Sequence, residues 1–138
     1  MKGAYGFNTY SATAANNNQD FEMNIQTFTA SENNAIYIEY IAFFTDAAAA
    51  ADYDAAIDNG EKNGITPTNY ITAKNIDSLS GQDGTTIQKG TYNGTSAIVA
   101  TPGSGKGFAK IKNKDYSLTL KFEAGKTTYV KVKYHLDT

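Results

Sequence analysis

The sequence predicts an all-β, mainly antiparallel fold: a β-sandwich of seven to eight short strands, with one short Ala-rich helix inserted at about residues 46–58. Three observations lead there. The carboxyl-terminal third alternates apolar and polar residues with the period of two that marks half-buried strands. Turn signals such as Asn63-Gly64, Asp77 to Gly84, Asn93-Gly94 and Pro102-Gly103 separate the runs. No regular alternation of helix and strand signals calls for a parallel sheet. A chain of 138 residues with 41% hydrophobic and 19% charged residues is long enough for one globular domain, read here as 1–138.

In chain order, Tyr5 to Ala12 reads as an edge strand, and Asn16-Asn17-Asn18 as a loop. Phe21, Met23 and Ile25 alternate with Glu22, Asn24 and Gln26, a second strand. The run from Ala35 to Phe44 is apolar on both faces and broken only by Glu39, as expected of a central strand covered on each side. Asp46 followed by five consecutive Ala residues then predicts a helix, with Asp46 as its amino cap. Asn59-Gly60 is read as its stop, and Tyr53 and Ile57 share one face. Weaker strand signals follow at Tyr70 to Ala73 and Thr85 to Lys89, with Asp77 to Gly84 read as turn between them.

Ser96 to Thr101 and Phe108 to Lys112 read as strands. In Tyr116 to Glu123, the residues Tyr116, Leu118, Leu120 and Phe122 face one side. After Ala124-Gly125-Lys126 the alternation resumes, with Val130, Val132, Tyr134 and Leu136 on one face and Tyr129, Lys131, Lys133 and His135 on the other. The short linker predicts a hairpin, and the four strands together a meander.

Composition excludes several kinds of chemistry. With no Cys there are no disulfides, thiolate metal sites or cysteine nucleophiles. A single His, His135, leaves no multi-His metal centre and makes any triad depend on that residue. All 12 basic residues are Lys, so the bidentate arginine fork for phosphate is missing. No stretch of about 18 apolar residues occurs, so no helical membrane span is expected. Residues 1–69 carry a net charge of −7 and residues 70–138 one of +5. Lys110, Lys112, Lys121, Lys131 and Lys133, together with Tyr129, are the candidate interaction surface, a basic face built on neighbouring strands. The plainer reading is that these lysines keep a sheet soluble and blunt its edges. Complementarity between acidic and basic halves, within the chain or between copies, comes next. Nucleic acid is not expected as a partner, given the negative overall charge and the absence of Arg.

Each local motif has a plain structural reading beside its chemical one. Residues 100–107, Ala-Thr-Pro-Gly-Ser-Gly-Lys-Gly, come close to a phosphate-binding loop. However, Gly107 stands where the magnesium-binding hydroxyl belongs, and Phe108 to Lys112 alternates like a strand where the motif needs a helix. It reads as a hairpin loop. Asp52, Asp54 and Asp58 fail the EF-hand spacing, because Ala56 and Ile57 hold its fifth and sixth places. Asp77 to Gly84 is richer in oxygen donors and reads first as a turn, with calcium left open. His135 reads as a solvated surface residue, with no Gly-x-Ser-x-Gly elbow in the chain to supply a nucleophile. Asn93-Gly94-Thr95 is a glycosylation sequon and, more simply, a turn. No metal and no cofactor is expected.

The ten Tyr residues suit strands, interfaces or sugar stacking. The segment from Leu118 to Val132, Leu-Thr-Leu-Lys-Phe-Glu-Ala-Gly-Lys-Thr-Thr-Tyr-Val-Lys-Val, resembles the last hairpin of many secreted bacterial β-sandwich domains. The resemblance covers about one-ninth of the chain and assigns no functional residue.

The expectation is therefore a non-enzymatic structural or assembly component of a cell envelope, appendage or virus particle. It would act through contacts with protein partners or copies of itself. The alternative is a module with a Tyr-lined groove that binds a glycan or small ligand, and after it a hydrolase built on His135 or paired acids. Asn, Thr, Gly and Tyr in abundance with few charges point to an extracellular, cell-surface or virion location. Met1 to Phe7 lacks the continuous apolar core of a secretory signal, which fits either a mature exported domain or a protein used without export.

Overall fold

The computed structural model describes residues 5–13, 22–26, 35–53, 65–113 and 127–136. Within them run nine strands: β1 (Tyr5–Thr13), β2 (Glu22–Gln26), β3 (Ile36–Phe44), β4 (Asn69–Ile71), β5 (Leu79–Gln82), β6 (Thr86–Tyr92), β7 (Thr95–Thr101), β8 (Phe108–Asn113) and β9 (Thr127–Leu136). One α-helix, α1 (Ala47–Asp52), and a 3-10 turn over Ala73–Ser78 complete the regular structure. The fold is all-β with a short helix, as the alternation predicts. Every strand pairing among the described residues is antiparallel.

The larger sheet has the order β1-β9-β3-β7-β6, with β4 also paired to β3; the smaller has the order β2-β8-β5. β3 is the central strand. β9 runs along one side of it, while β7 pairs with Ile36–Ile38 and β4 with Ile41–Phe43 on the other. The two sheets share one core. The larger contributes Ile36, Ile38, Ile41, Phe43, Ile98 and Val132, and the smaller contributes Ile25, Leu79, Ala109 and Ile111.

The register of β3 against β9 shifts between Ile38 and Tyr40, which marks a β-bulge at Glu39. Ile36 and Ile38 face the core before it; Ile41 and Phe43 face the core after it. One extra residue reverses the parity of the strand, so Tyr40, Ala42 and Phe44 turn to the opposite face. There they form a second cluster with Ala50 and Tyr53, covered by α1. This explains why the run from Ala35 to Phe44 is apolar on both sides. The outer face of the large sheet carries a small core of its own.

α1 begins where the sequence predicts. The Asp46 side chain accepts a hydrogen bond from the Ala49 backbone N–H at 2.9 Å. It ends earlier, at Asp52 rather than near residue 58. Tyr53 is extended (φ −69°, ψ 131°), its ring buried edge-on against Tyr40 and Phe44 at centroid distances of 5.4 and 5.1 Å. Packing of this ring overrides the local helical preference. Ile57 and the Asn59-Gly60 stop lie outside the described residues.

The meander is corrected. β7 lies between β3 and β6, β8 between β2 and β5 in the other sheet, and β9 between β1 and β3. The buried pair Pro102-Gly103 starts the six-residue crossing from one sheet to the other, so β7 and β8, consecutive in sequence, lie in different sheets. The predicted strand from Tyr116 to Glu123, and with it the hairpin it would close, falls outside the described residues. The stretch from Asp77 to Gly84 is not one continuous turn either, because β5 pairs with β8 within it. Residues 70–73 divide between β4 and the 3-10 turn, where the Asn75 side chain accepts from the Thr72 N–H at 2.8 Å and donates to the Tyr70 carbonyl at 3.1 Å. Asn93-Gly94 is the expected hairpin turn, with φ of 49° and 79°.

Candidate functional site

Charged and aromatic side chains converge on the outer face of the large sheet. The register places Tyr37 opposite His135. The bulge sets Glu39 on the same side, beside Lys133 and His135 of β9. Glu39 Oε2 lies 2.6 Å from His135 Nε2, and Glu39 Oε1 lies 3.6 Å from Lys133 Nζ. The three side chains are only 10%, 13% and 15% exposed for Glu39, His135 and Lys133. Tyr92, the last residue of β6, stacks on the His135 ring at a centroid distance of 4.3 Å with 13° between planes. Tyr37 leans on Tyr92 at 5.2 Å.

His135 is therefore not the solvated residue that its place near the chain end suggests. Its Nε2 donates to the Glu39 carboxylate, which sets the tautomer, and Tyr92 holds the plane of the ring. A carboxylate-oriented imidazole is one part of a hydrolytic relay, and it could not be placed from sequence because its two members stand 96 residues apart. Here the carboxylate also faces an ammonium, so it serves the imidazole and the Lys133 cation together.

Lys131 has a different task. It is 6% exposed, and its Nζ donates to the backbone carbonyls of Ala51, at 3.0 Å, and Tyr53. These carbonyls belong to the last turn of α1 and its cap, the negative end of the helix, which a cation satisfies. Tyr129 is half-buried against the cluster under α1. Lys110 and Lys112 lie in β8 of the smaller sheet, with Lys110 Nζ 3.9 Å from Asp83. The lysines singled out from the sequence are thus divided between two sheets, and Lys121 lies outside the described residues. Among the described residues, the acidic and basic halves meet within the chain where Glu39 faces Lys133 and His135.

An open cleft of about 480 Å³ lies between the 3-10 turn, β5 and β6. Ile76, Leu79 and Ile87 form its apolar side, and Asp77, Ser80, Gln88 and Lys89 its polar one; among the described residues no tyrosine lines it. Among the described residues, no group of three His, Asp or Glu side chains is placed to hold a metal ion. Likewise, no described helix is long and apolar enough to cross a membrane.

The bulged Glu39 is what sequence reasoning missed. Its signal was present as the lone acid inside an otherwise apolar strand. A buried carboxylate requires a partner of opposite charge, and the sequence could not say which. Compared with protein families, curated proteins and solved structures, the chain matches none.

Proposed function

We propose that the protein is a non-enzymatic structural or assembly component, working at a cell surface, in an appendage or in a virus particle through contacts with other protein chains. One observation carries this reading: the reactive groups of the outer face are employed in holding the fold. Glu39 binds Lys133 and His135 of β9, the His135 ring is held between Glu39 and Tyr92, and Lys131 closes the end of α1. What the large sheet presents outward at its β6 margin is Thr86, Gln88, Lys89 and Thr91, an exposed and mostly uncharged strand. Sedimentation velocity across a range of protein and salt concentrations tests the proposal. Reversible self-association, or capture of a defined protein partner, is the expected result; a strict monomer that binds no partner at low salt contradicts it.

A second reading draws on the row Tyr37–Tyr92–His135, where two phenol rings and an imidazole adjoin a carboxylate and an ammonium. Rings beside paired charges suit a sugar or another small polar ring. Titration with monosaccharides, followed through the Tyr92 and His135 ring resonances, separates it from the first: saturable shifts support it and unmoved resonances remove it.

A further inference from the structure

The two sheets have five edge strands among the described residues, and they are not alike; β4, paired only to β3, has three residues. β2 has five residues and includes Glu22; β5 has four residues. β6 has seven, with Lys89 at its midpoint. β1 has nine, Tyr-Gly-Phe-Asn-Thr-Tyr-Ser-Ala-Thr, without a charge or a proline. Its pairing with β9 runs unbroken from Tyr5↔His135 to Thr13↔Thr127, so no bulge bends it away. Among the described residues β9 is its only strand neighbour. Short length, charge, proline and bulges are the devices by which natural sheets avoid pairing edge to edge. β2, β4, β5 and β6 each use at least one. β1 uses none.

We infer that β1 is a homodimerisation edge: the β1 strands of two copies pair antiparallel about a two-fold axis at Thr9, joining their large sheets into one. The inference rests on the assembly reading above and names the partner and the strand. Centring on Thr9 brings all nine residues into the ladder, with Tyr5 opposite Thr13, Phe7 opposite Ser11 and Thr9 opposite itself. No charge opposes a like charge anywhere along it. The same operation on β6 sets Lys89 against Lys89, an arrangement that disfavours pairing. A two-fold contact of one strand with itself is also closed, so it ends at a dimer, whereas β1 on β6 would propagate into a filament.

The absence of Cys makes the test direct. At the two-fold, the Cα atoms of residue 9 in the two copies lie about 4.5–5.5 Å apart, within reach of a disulfide. Thr9→Cys is expected to form a covalent dimer under mild oxidation, while Thr91→Cys, on exposed β6, stays monomeric. Thr9→Glu sets two carboxylates face to face across the axis, while within its own chain residue 9 is the register partner of Lys131. It is expected to weaken dimerisation about tenfold or more by sedimentation, with the far-ultraviolet spectrum unchanged. Self-association that survives Thr9→Glu, with no cross-link through Thr9→Cys, overturns the edge assignment and leaves the assembly reading standing. Cross-linking of Thr9→Cys chains to Thr91→Cys chains, but not to each other, overturns it in favour of a β1-on-β6 filament. A wild-type chain that is monomeric at every concentration overturns it as well, and if a separate protein partner is then captured the assembly reading still holds.

Discussion

Glu39 shows how much one residue can decide. Its place in the bulge lets Ile38 and Ile41 both face the core, although an odd number of steps separates them, and it gives Lys133 and His135 a common anion. Replacing it by Ala leaves the Lys133 ammonium and the His135 N–H without their nearly buried acceptor. Glu39→Ala should cost about 1–3 kcal/mol in urea unfolding, with Glu39→Gln recovering part of that through the His135 hydrogen bond. A loss below the error of the measurement would mean that water replaces the carboxylate at no cost. Gly81 is decisive for a different reason. A Cβ there would lie 1.9 Å from the Thr85 backbone carbonyl oxygen, where the Asp83-Gly84 turn folds the chain back on itself. Because the obstacle is backbone, Gly81→Ala should destabilise by about 1–3 kcal/mol, checked by its denaturant midpoint. Neither role is legible from sequence. Glu39 reads as an interruption in an apolar run and Gly81 as one more turn residue.

Among elements, α1 is the clearest case of a local signal completed by distant residues. Asp46 and the five alanines start the helix, and that much is local. Six residues form less than two turns, too few to persist alone in water. The helix is held by Tyr53, buried against Tyr40 and Phe44, and by the Lys131 ammonium on its last carbonyls. Lys131→Met keeps most of the side-chain volume but leaves those carbonyls without their donor. It is expected to cost about 1–3 kcal/mol and to raise amide exchange across residues 49–53 first. Asp46→Ala should cost about 1 kcal/mol and loosen the same segment from its other end. Uniform exchange across the sheet and α1 in either variant would show that the helix does not open on its own. For the strands, alternation was a dependable guide to which residues of β9 share a face, although the polar face is largely covered too. It did not reveal β5, whose four residues Leu-Ser-Gly-Gln hold a single apolar side chain.

At the scale of the molecule, pairing is dominated by partners far apart in the chain. β1 pairs with β9, and β3 lies between β9 on one side and β7 on the other. The loop entropy of these closures must be met before their contacts form. Refolding after a denaturant jump should therefore take on the order of milliseconds to seconds, as for other sheets of non-local topology. A full-amplitude microsecond phase in stopped-flow or temperature-jump fluorescence of the tyrosines would contradict this. The core shared by the two sheets makes them one cooperative unit. Ile41→Ala, at a site with no exposure, is expected to cost about 2–5 kcal/mol and to lower the transition of every probe together.

Periodicity and turn chemistry alone reveal an all-β protein, the central and apolar character of β3, both faces of β9, the Asn93-Gly94 turn and the start of α1. These are matters of which residues sit two or four apart, and they are settled within a few residues of chain. The order of the strands, the division of the lysines between two sheets, the early end of α1 and the meeting of Glu39 with His135 across 96 residues came only with the folded molecule. Each depends on which distant surface a strand is laid against. Burial makes that choice by enclosing apolar area and pairing every charge it traps, and the energy of doing so is a property of the assembled sheets rather than of any one segment.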